Sequence, residues 1–296
     1  MTAVPFIASV ESENTRTWRH VFSVILREPL SLLSTVIIIL FILMALFAPQ
    51  ISPYPDEGAG KTHASNTLLP PSAEHPFGAD KLGRDILSRI IFGARPALII
   101  PIGVVLFAVL IGAPLGALAG YKGGWLDEII MRITDLFLAF PSLLLAMAIA
   151  SALGRGLDKA ALALIVSWWP WYTRIARGVA VGLRERYFVE AAQASGVSDA
   201  VIIFRHILPN TISPILVQAT VDMGKVILAM GGLAFLGLGT QPPSPDWGLM
   251  VSEGRQFILD KWWIATFPGI AIFIIVLAFN LLGDTLRDIF DPRQYK

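Results

Sequence analysis

Few side chains in this sequence are spaced to do chemistry. Asp222 and Lys225 stand one helical turn apart inside an apolar run. Charges in such a run are costly, and they face a cavity or each other. The pair therefore reads either as an internal ion pair locking a helix or as a polar station on a solute path. Asp135 lies nearer the end of its own apolar run, where an interfacial role fits. Gly60-Lys61-Thr62 ends like a phosphate-binding loop, but the first glycine of that motif would fall at Pro55. No apolar strand precedes it and no good helix follows, so nucleotide binding is not expected there. His20, His63, His75 and His206 are not paired at metal-ligand spacing. Met131, Met147, Met223 and Met230 read as packing residues. Cysteine is absent, which removes disulfides, thiolate metal sites and a Cys nucleophile together. No motif positions a Ser/His/Asp set. The expectation is a chain without enzyme chemistry, metal or cofactor of its own.

The elements that must position these residues are membrane spans. The 296 residues are 55% hydrophobic and 15% charged, with a mean hydropathy of +0.66, whereas an ordinary soluble domain is about a quarter charged. The net charge of +1 carries no nucleic-acid signature. A membrane helix needs about 20 apolar residues to cross roughly 30 Å of hydrocarbon. Six segments approach that: 30–47, 96–120, 133–153, 160–175, 211–238 and 262–283. The first lacks a convincing cleavage site and reads as an uncleaved span. In the second, Gly103, Gly112, Ala113, Gly116, Ala117, Ala119 and Gly120 permit close helix crossing, and Pro101 and Pro114 predict kinks. Pro170 interrupts the fourth, which is rich in tryptophan (Trp168, Trp169, Trp171). The fifth is overlong and holds Gly224, Gly231, Gly232, Gly237 and Gly239, predicting a broken or re-entrant end.

Lys and Arg near span ends set the orientation. With the N-terminus inside, the cytoplasmic side receives Arg16, Arg19, Arg27, Lys122, Arg132, Arg174, Arg177, Arg184, Arg186, Arg205, Arg287, Arg293 and Lys296. The outer side receives fewer: Lys61, Lys81, Arg84, Arg89, Arg95, Arg155, Lys159, Arg255 and Lys261. The reading is an all-α polytopic membrane protein of six transmembrane helices, N-in and C-in. Residues 1–95 hold the tail, the first span and a long outer connection. Residues 96–284 hold a five-helix core and residues 285–296 form an inner tail; Asp284, Arg287 and Asp288 sit just past the last span. The outer connection is Pro-rich and should be extended and turn-like. Its end, 79–94, places Leu82, Ile86, Leu87, Ile90 and Ile91 on one face against Arg84, Asp85 and Arg89, which predicts an amphipathic helix lying at the outer interface.

One inner interruption has an unusual pattern at 187–209. Residues 187–194 predict a short helix, Gly196 a turn, 199–205 a second helix and Pro209 the start of the next span. Within it stand Glu190-Ala191-Ala192, then Gly196, then Leu208-Pro209. This pattern resembles the "EAA" signature of permease subunits of binding-protein-dependent ABC importers, which runs Glu-Ala-Ala, three residues, Gly, nine residues, Ile, one residue, Leu-Pro. The isoleucine position holds His206, with Ile207 beside it. Two outer stretches narrow the likeness. His75-Pro76-Phe77-Gly78-Ala79-Asp80, followed by Gly83-Arg84-Asp85, resembles the segment before the second span of dipeptide/oligopeptide/nickel permeases. Phe235 to Gly239, with Gln241-Pro242-Pro243 and Trp247-Gly248, resembles the outer loop after their fifth span. Together they point to the "C"-type subunit, and the resemblance runs from about residue 18 to the C-terminus.

The resemblance implies the type I ABC importer permease fold and a set of partners. These are a second homologous permease subunit, two cytoplasmic ATPase subunits that bind the ATP and Mg, and a periplasmic or lipid-anchored substrate-binding protein, all around a bacterial inner membrane and its lipid. The hairpin would be the coupling helix seated on an ATPase, with Ala191 and Ala192 allowing close packing and Glu190 either pairing with a basic group or merely solvated. Asp222 and Lys225 would touch a peptide terminus or pair structurally. Asp284, Arg287 and Asp288 would form a solvated or ATPase-facing end. The cargo would be a di- or oligopeptide, with a nickel chelate, glutathione-like peptide or opine as alternatives. An ion-coupled secondary transporter or channel is the competing reading. It would favour several titratable mid-membrane groups and an internal repeat, and the sequence offers Asp222 and Lys225 with no repeat. A membrane-embedded hydrolase lacks a catalytic constellation.

Overall fold

The structure, a computed structural model, describes Leu26 and residues 28–290. Arg16, Arg19, His20, Arg27, Arg293 and Lys296 lie outside the described residues. Helix α1 spans Pro29–Leu46 and opens on a proline, which suits a first turn whose N–H groups have no intrahelical partner. Two single helical turns, Ala48–Ile51 and Pro55–Gly58, begin the outer connection. Helix α2 then runs Ile86–Lys122, 37 residues capped by the Asp85 carboxylate, which accepts the Ser88 N–H. Helices α3 (Gly124–Leu138) and α4 (Ser142–Leu153) follow, then α5 (Leu157–Arg184). A hairpin of α6 (Tyr187–Ala194) and α7 (Asp199–Ile202) leads through a π turn into α8 (Leu208–Phe235). Helices α9 (Trp247–Gly254) and α10 (Trp263–Phe290) complete the described chain. Among the described residues there is no strand, only an isolated bridge between Ala79 and Asp85.

The all-α reading holds, and several boundaries differ. Four helical stretches are long and apolar enough to cross a bilayer: α1, α2, the continuous Asp199–Phe235 stretch and α10. The segment expected at 133–153 is instead the pair α3 and α4, bent by 86°. Pro141 sits at the break, where its ring disfavours helical backbone at Phe140 and its nitrogen donates no hydrogen bond. Helix α5 has 28 residues and passes through Pro170 without the expected interruption. Neighbouring helices in a bundle satisfy what a proline frees. Its charges (Asp158, Lys159, Arg174, Arg177, Arg184) keep it from reading as a plain lipid span. The amphipathic helix expected over 79–94 does not form. Residues 79–85 are a tight turn, helix begins at Ile86 and runs unbroken past residue 95 into the span, and Arg84 and Arg89 are fully buried. Ion-pairing partners far along the chain, absent from the local pattern, turn these arginines inward.

The main packing seam joins α2 to α5. Gly112, Gly116 and Gly120 recur every fourth residue on α2, and the Trp169, Thr173 and Arg177 carbonyls of α5 recur at the same interval. A Cβ at any of the three glycines would collide with its facing carbonyl. Ala117, Ala176 and Ala180 are fully buried beside them. Small residues thus let two backbones touch, as expected where helices cannot gain by escaping water. The connections expected on the inner side gather at one end of the bundle, where the hairpin meets the C-terminal turn of α2. Those expected on the outer side gather at the other, where Trp247 meets the start of α2.

Replacing Gly116 by Leu should force α2 and α5 apart. Overpacking of this kind costs about 1–3 kcal/mol, so the purified variant should lose several degrees in thermal unfolding while still inserting in membranes. An unchanged melting temperature would show that the seam is loose.

Candidate functional site

The hairpin is built by ordinary capping rules. Helix α6 ends at Ala194, and Gly196 takes φ +76°. The Gly196 N–H donates to the Gln193 carbonyl at 2.9 Å, and the Val197 N–H donates to the Ala192 carbonyl at 3.1 Å. These two bonds are the Schellman arrangement, which needs a left-handed residue and so favours glycine. The spacing from Ala192 to Gly196 is therefore the spacing of a helix end. Helices α6 and α7 and the π turn after them carry an inward face of Val189, Ile202, Ile203 and Ile207, packed on Ala117, Tyr121 and Ala180. A polar clamp sits beside it. The Tyr121 hydroxyl donates to Asp199 Oδ1 at 2.8 Å and accepts from Gln193 Nε2 at 3.0 Å, while Lys122 pairs with Asp199. Sequence reasoning missed Tyr121, Gln193 and Asp199, since nothing local ties residue 121 to residue 199.

The opposite face of the hairpin is uncovered. Tyr187 is 89% exposed and Phe204 67%, and Phe188, Glu190 and Ala191 are exposed with them. The two alanines do not act together: Ala191 faces out, whereas Ala192 is half-buried against the chain's own cluster. The expected second helix does not stop at 205. It passes through the π turn Ile203–Ile207 into α8. Such a turn inserts one extra residue, and here Ile207 is fully buried while His206 is only half-buried. That shift explains how His206 occupies the signature's isoleucine position without entering the core. Leu208 packs against both apolar clusters and Pro209 is exposed.

The two outer motifs, distant in sequence, form one cap. Arg84 Nε donates to Asp80 Oδ2 at 2.7 Å and Arg84 Nη2 to Glu253 Oε2 at 3.1 Å. Lys81 lies 3.3 Å from the other Glu253 oxygen. The fully buried Arg89 donates to the Pro243 carbonyl at 3.3 Å. Gln241 turns back on its own loop, donating to the Gly239 carbonyl at 2.9 Å; Pro242 and Pro243 follow it. Trp247 Nε1 donates to the Ile90 carbonyl at 3.0 Å, its ring covers Gly93, and Phe41 of α1 meets it edge-on. Gly78 and Gly83 both turn at positive φ, and Gly248 lies against the backbone of Gly231, so α9 folds back on α8. Asp246 caps α9 through the Leu249 N–H at 2.9 Å. Burial raises the Asp246 carboxyl above the ordinary carboxylate pKa, against the pull of Leu249 and Thr240.

The Pro-rich connection is part of this cap and not an extended strap. Glu57 is 1% exposed; it accepts the Asp85 N–H at 2.7 Å and lies 2.6 Å from His63 Nδ1. His75 Nδ1 lies 2.9 Å from Asp85 Oδ1. Glu57 and Glu253 are further residues that no local pattern singles out, and His75, read only as part of the outer motif, joins them here. Gly60 packs on Pro243 and Lys61 pairs with Asp56 at 3.0 Å, so the phosphate-loop lookalike is a surface turn.

Within the bundle the structure separates Asp222 from Lys225. Asp222 is 2% exposed and accepts from Tyr172 of α5 at 3.0 Å, Gln218 at 2.8 Å and Lys225 at 3.3 Å. The Lys225 side chain is 56% exposed. Asp135 pairs with Arg174 at 2.6 Å, and Asp127 grips Arg177 through two bonds of 2.5 and 2.7 Å. Two arginines counted as inner-side anchors thus tie α5 to α3. Among the described residues no cluster of His, Asp and Glu could hold a metal ion.

Residues 112–296 match a family model described as the binding-protein-dependent transport system inner membrane component. Residues 16–71 match the N-terminal TM domain of oligopeptide transport permease C. The chain is 44% identical to a dipeptide transport system permease protein DppC of Alkalihalophilus pseudofirmus, over 99% of this chain and 96% of the relative. It is 45% identical to a probable D,D-dipeptide transport system permease protein DdpC of Escherichia coli K12, over 90% of this chain and 88% of that one. It is 41% identical to a glutathione transport system permease protein GsiD of Pectobacterium atrosepticum, over 96% and 94%. Among solved structures, an inward-facing form of the MetNI methionine ABC transporter superposes with a TM-score of 0.54 at 19% identity, covering 68% of this chain and 95% of that one.

Two outcomes test the geometry of the hairpin and the cap. Tyr121→Phe removes both bonds of the clamp. A loss of about 1–2 kcal/mol should raise native-state trypsin cleavage at Arg184 and Arg186 by roughly 5- to 30-fold, with global unfolding little changed. Arg84→Met leaves Asp80 and Glu253 without their shared cation, and breaking a buried pair this way costs about 3–5 kcal/mol, read as a large fall in melting temperature.

Proposed function

We propose, from the premise that this chain belongs to the family of binding-protein-dependent inner-membrane transport components, that it imports di- or oligopeptides and is driven through its α6–α7 hairpin by an ATPase. The chain is a non-catalytic permease subunit of an ABC importer in the bacterial inner membrane. Membership sets aside the secondary-transporter and hydrolase readings. In the proposed arrangement it pairs with a second permease subunit, two cytoplasmic ATPase chains bind the ATP and Mg, and a binding protein delivers cargo to the outer cap. α1, α2, the bent pair, α5, α8 and α10 make six crossings, with both termini and the hairpin inside. The observation that carries the coupling role is the hairpin's two-faced build: an apolar inner face fixed to α2 and α5, and an uncovered outer face of Tyr187, Phe188, Glu190, Ala191 and Phe204. Exposed aromatics beside small residues suit docking into a groove.

Because α7 runs through the π turn into α8, a push on the docked hairpin becomes a tilt of α8. This is rigid-body alternating access. The outer-motif residues Gly78, Asp80, Gly83, Arg84, Asp85, Gln241, Pro242, Pro243, Trp247 and Gly248 serve as a stiff cap and not as ligands. A peptide cargo is supported by the dipeptide permeases among the relatives. The glutathione permease relatives favour a glutathione-like peptide as the second reading.

The test is Gly196→Val in the importer assembled with its partners and reconstituted in vesicles. A β-branched residue at positive φ breaks the turn. ATP-driven uptake of dialanine should fall at least tenfold while ATP hydrolysis continues and the spans still insert. Normal uptake in the variant would exclude the hairpin as the coupling element.

A further inference from the structure

Helix α8 holds a single exposed charge far from either end. At 1.5 Å per residue, Lys225 stands roughly 25 Å from Leu208 and roughly 15 Å from Phe235. The neighbours Val226, Ile227, Ala229 and Met230 are buried, whereas Lys225 and Leu228 are exposed. The half-buried Gln218 and Gly232 continue this side of α8, Gly232 with open space beside it, whereas Val221 between them packs against Gly283 of α10. Among the described residues the only hydrogen-bond partner of Lys225 is Asp222, at 3.3 Å. That carboxylate already takes a shorter bond from Gln218 on the same oxygen and one from Tyr172 on the other. An ammonium carries three donors, so two are unspent. Bare hydrocarbon would be a costly place for such a group, and the helix ends are too distant for it to snorkel. The polar lining also continues: Gln218 borders an open cavity shared with Ser213 and Arg287.

We infer that the Lys225 side of α8 faces the aqueous solute path, and that the Lys225 ammonium is the point on this chain that receives the carboxylate of a passing peptide. This rests on the importer reading above. Asp222, held by Tyr172 and Gln218, is a positioning residue: it fixes the lysine stem toward the path without reaching the path itself. An ammonium offers donors only, so it attracts a carboxylate terminus and repels an amino terminus. The peptide is thereby oriented. Because α8 is continuous with the hairpin, the station moves as the hairpin moves.

The absence of cysteine in this chain gives a clean test. Lys225→Cys is assembled with the partner chains in vesicles, and ATP-driven uptake of dialanine is measured before and after two water-soluble thiosulfonates. One attaches an aminoethyl group, which restores an ammonium at lysine-like length; the other attaches a sulfonatoethyl group. The unsubstituted importer, treated alike, is the control. Uptake should drop at least tenfold in Lys225→Cys, recover at least fivefold with the aminoethyl reagent, and stay low with the sulfonate. Lys225→Arg should keep uptake within about twofold, because it preserves the charge. Full uptake by Lys225→Cys, a thiol unreactive to both reagents, equal activity after either reagent, or loss of the second permease from the purified complex would each overturn the inference. If the unsubstituted importer itself shows no ATP-driven uptake, the importer reading fails instead.

Discussion

Polar groups in an apolar solvent must find partners within the protein, and that constraint shapes nearly every part of this structure. The first consequence is at the outer cap. Arg84, Arg89, Asp80, Asp85 and Glu57 are all buried; Arg84, Arg89, Asp85 and Glu57 each reach a charged or backbone partner from another stretch of chain, and Asp80 holds Arg84. The cap is therefore cross-linked by polar contacts that leave little slack. The second consequence is at the α3–α5 contact, where Asp127 and Asp135 neutralise Arg177 and Arg174. In α8 the Asp222 carboxylate accepts three hydrogen bonds, whereas the exposed Lys225 ammonium makes one of them and no other among the described residues.

The same constraint separates the rigid parts from the moving part. Helices α2 and α5 meet through glycine at backbone distance, which leaves no room for sliding. The hairpin, by contrast, is clipped on through one small apolar cluster and the Tyr121 clamp, and its far side is open. A force applied there meets stiff helix in α8 and a stiff seam in α2 and α5. Glu185–Arg186 is the irregular joint between α5 and the hairpin, and the π turn at Ile203–Ile207 is the one between the hairpin and α8. A widened turn of this kind is a natural place for a small rotation. In the importer proposed above, the partners would supply the energy, and this chain a lever, a seam and a lined face.

Much of this was legible in residue order. The apolar runs gave the helices, the glycines of α2 gave a close crossing, and the Ala192-to-Gly196 spacing gave a helix end and a turn. Local patterns erred wherever a distant residue decided the matter. The face of Arg84 and Arg89 looked solvent-exposed because Glu253 and Pro243 lie more than 150 residues away. The Pro-rich connection looked extended because the partners of Glu57 were unknown. Pro141 bends its segment and Pro170 does not, although both are prolines in apolar runs: Pro141 stands at the N-cap of α4, whereas α5 runs through Pro170.

The sequence by itself determined the composition of a lipid-embedded helical chain, the order of its elements and the signature of its hairpin, because helix periodicity, capping and turn chemistry act over a few residues. Tertiary structure alone decided which charges are buried, that Ala191 is exposed while Ala192 is half-buried, that Ile207 replaces His206 in the core, and that Asp222 is sealed while Lys225 is open. Those outcomes depend on which surfaces meet across the bundle, and close packing in three dimensions is not encoded by any local spacing.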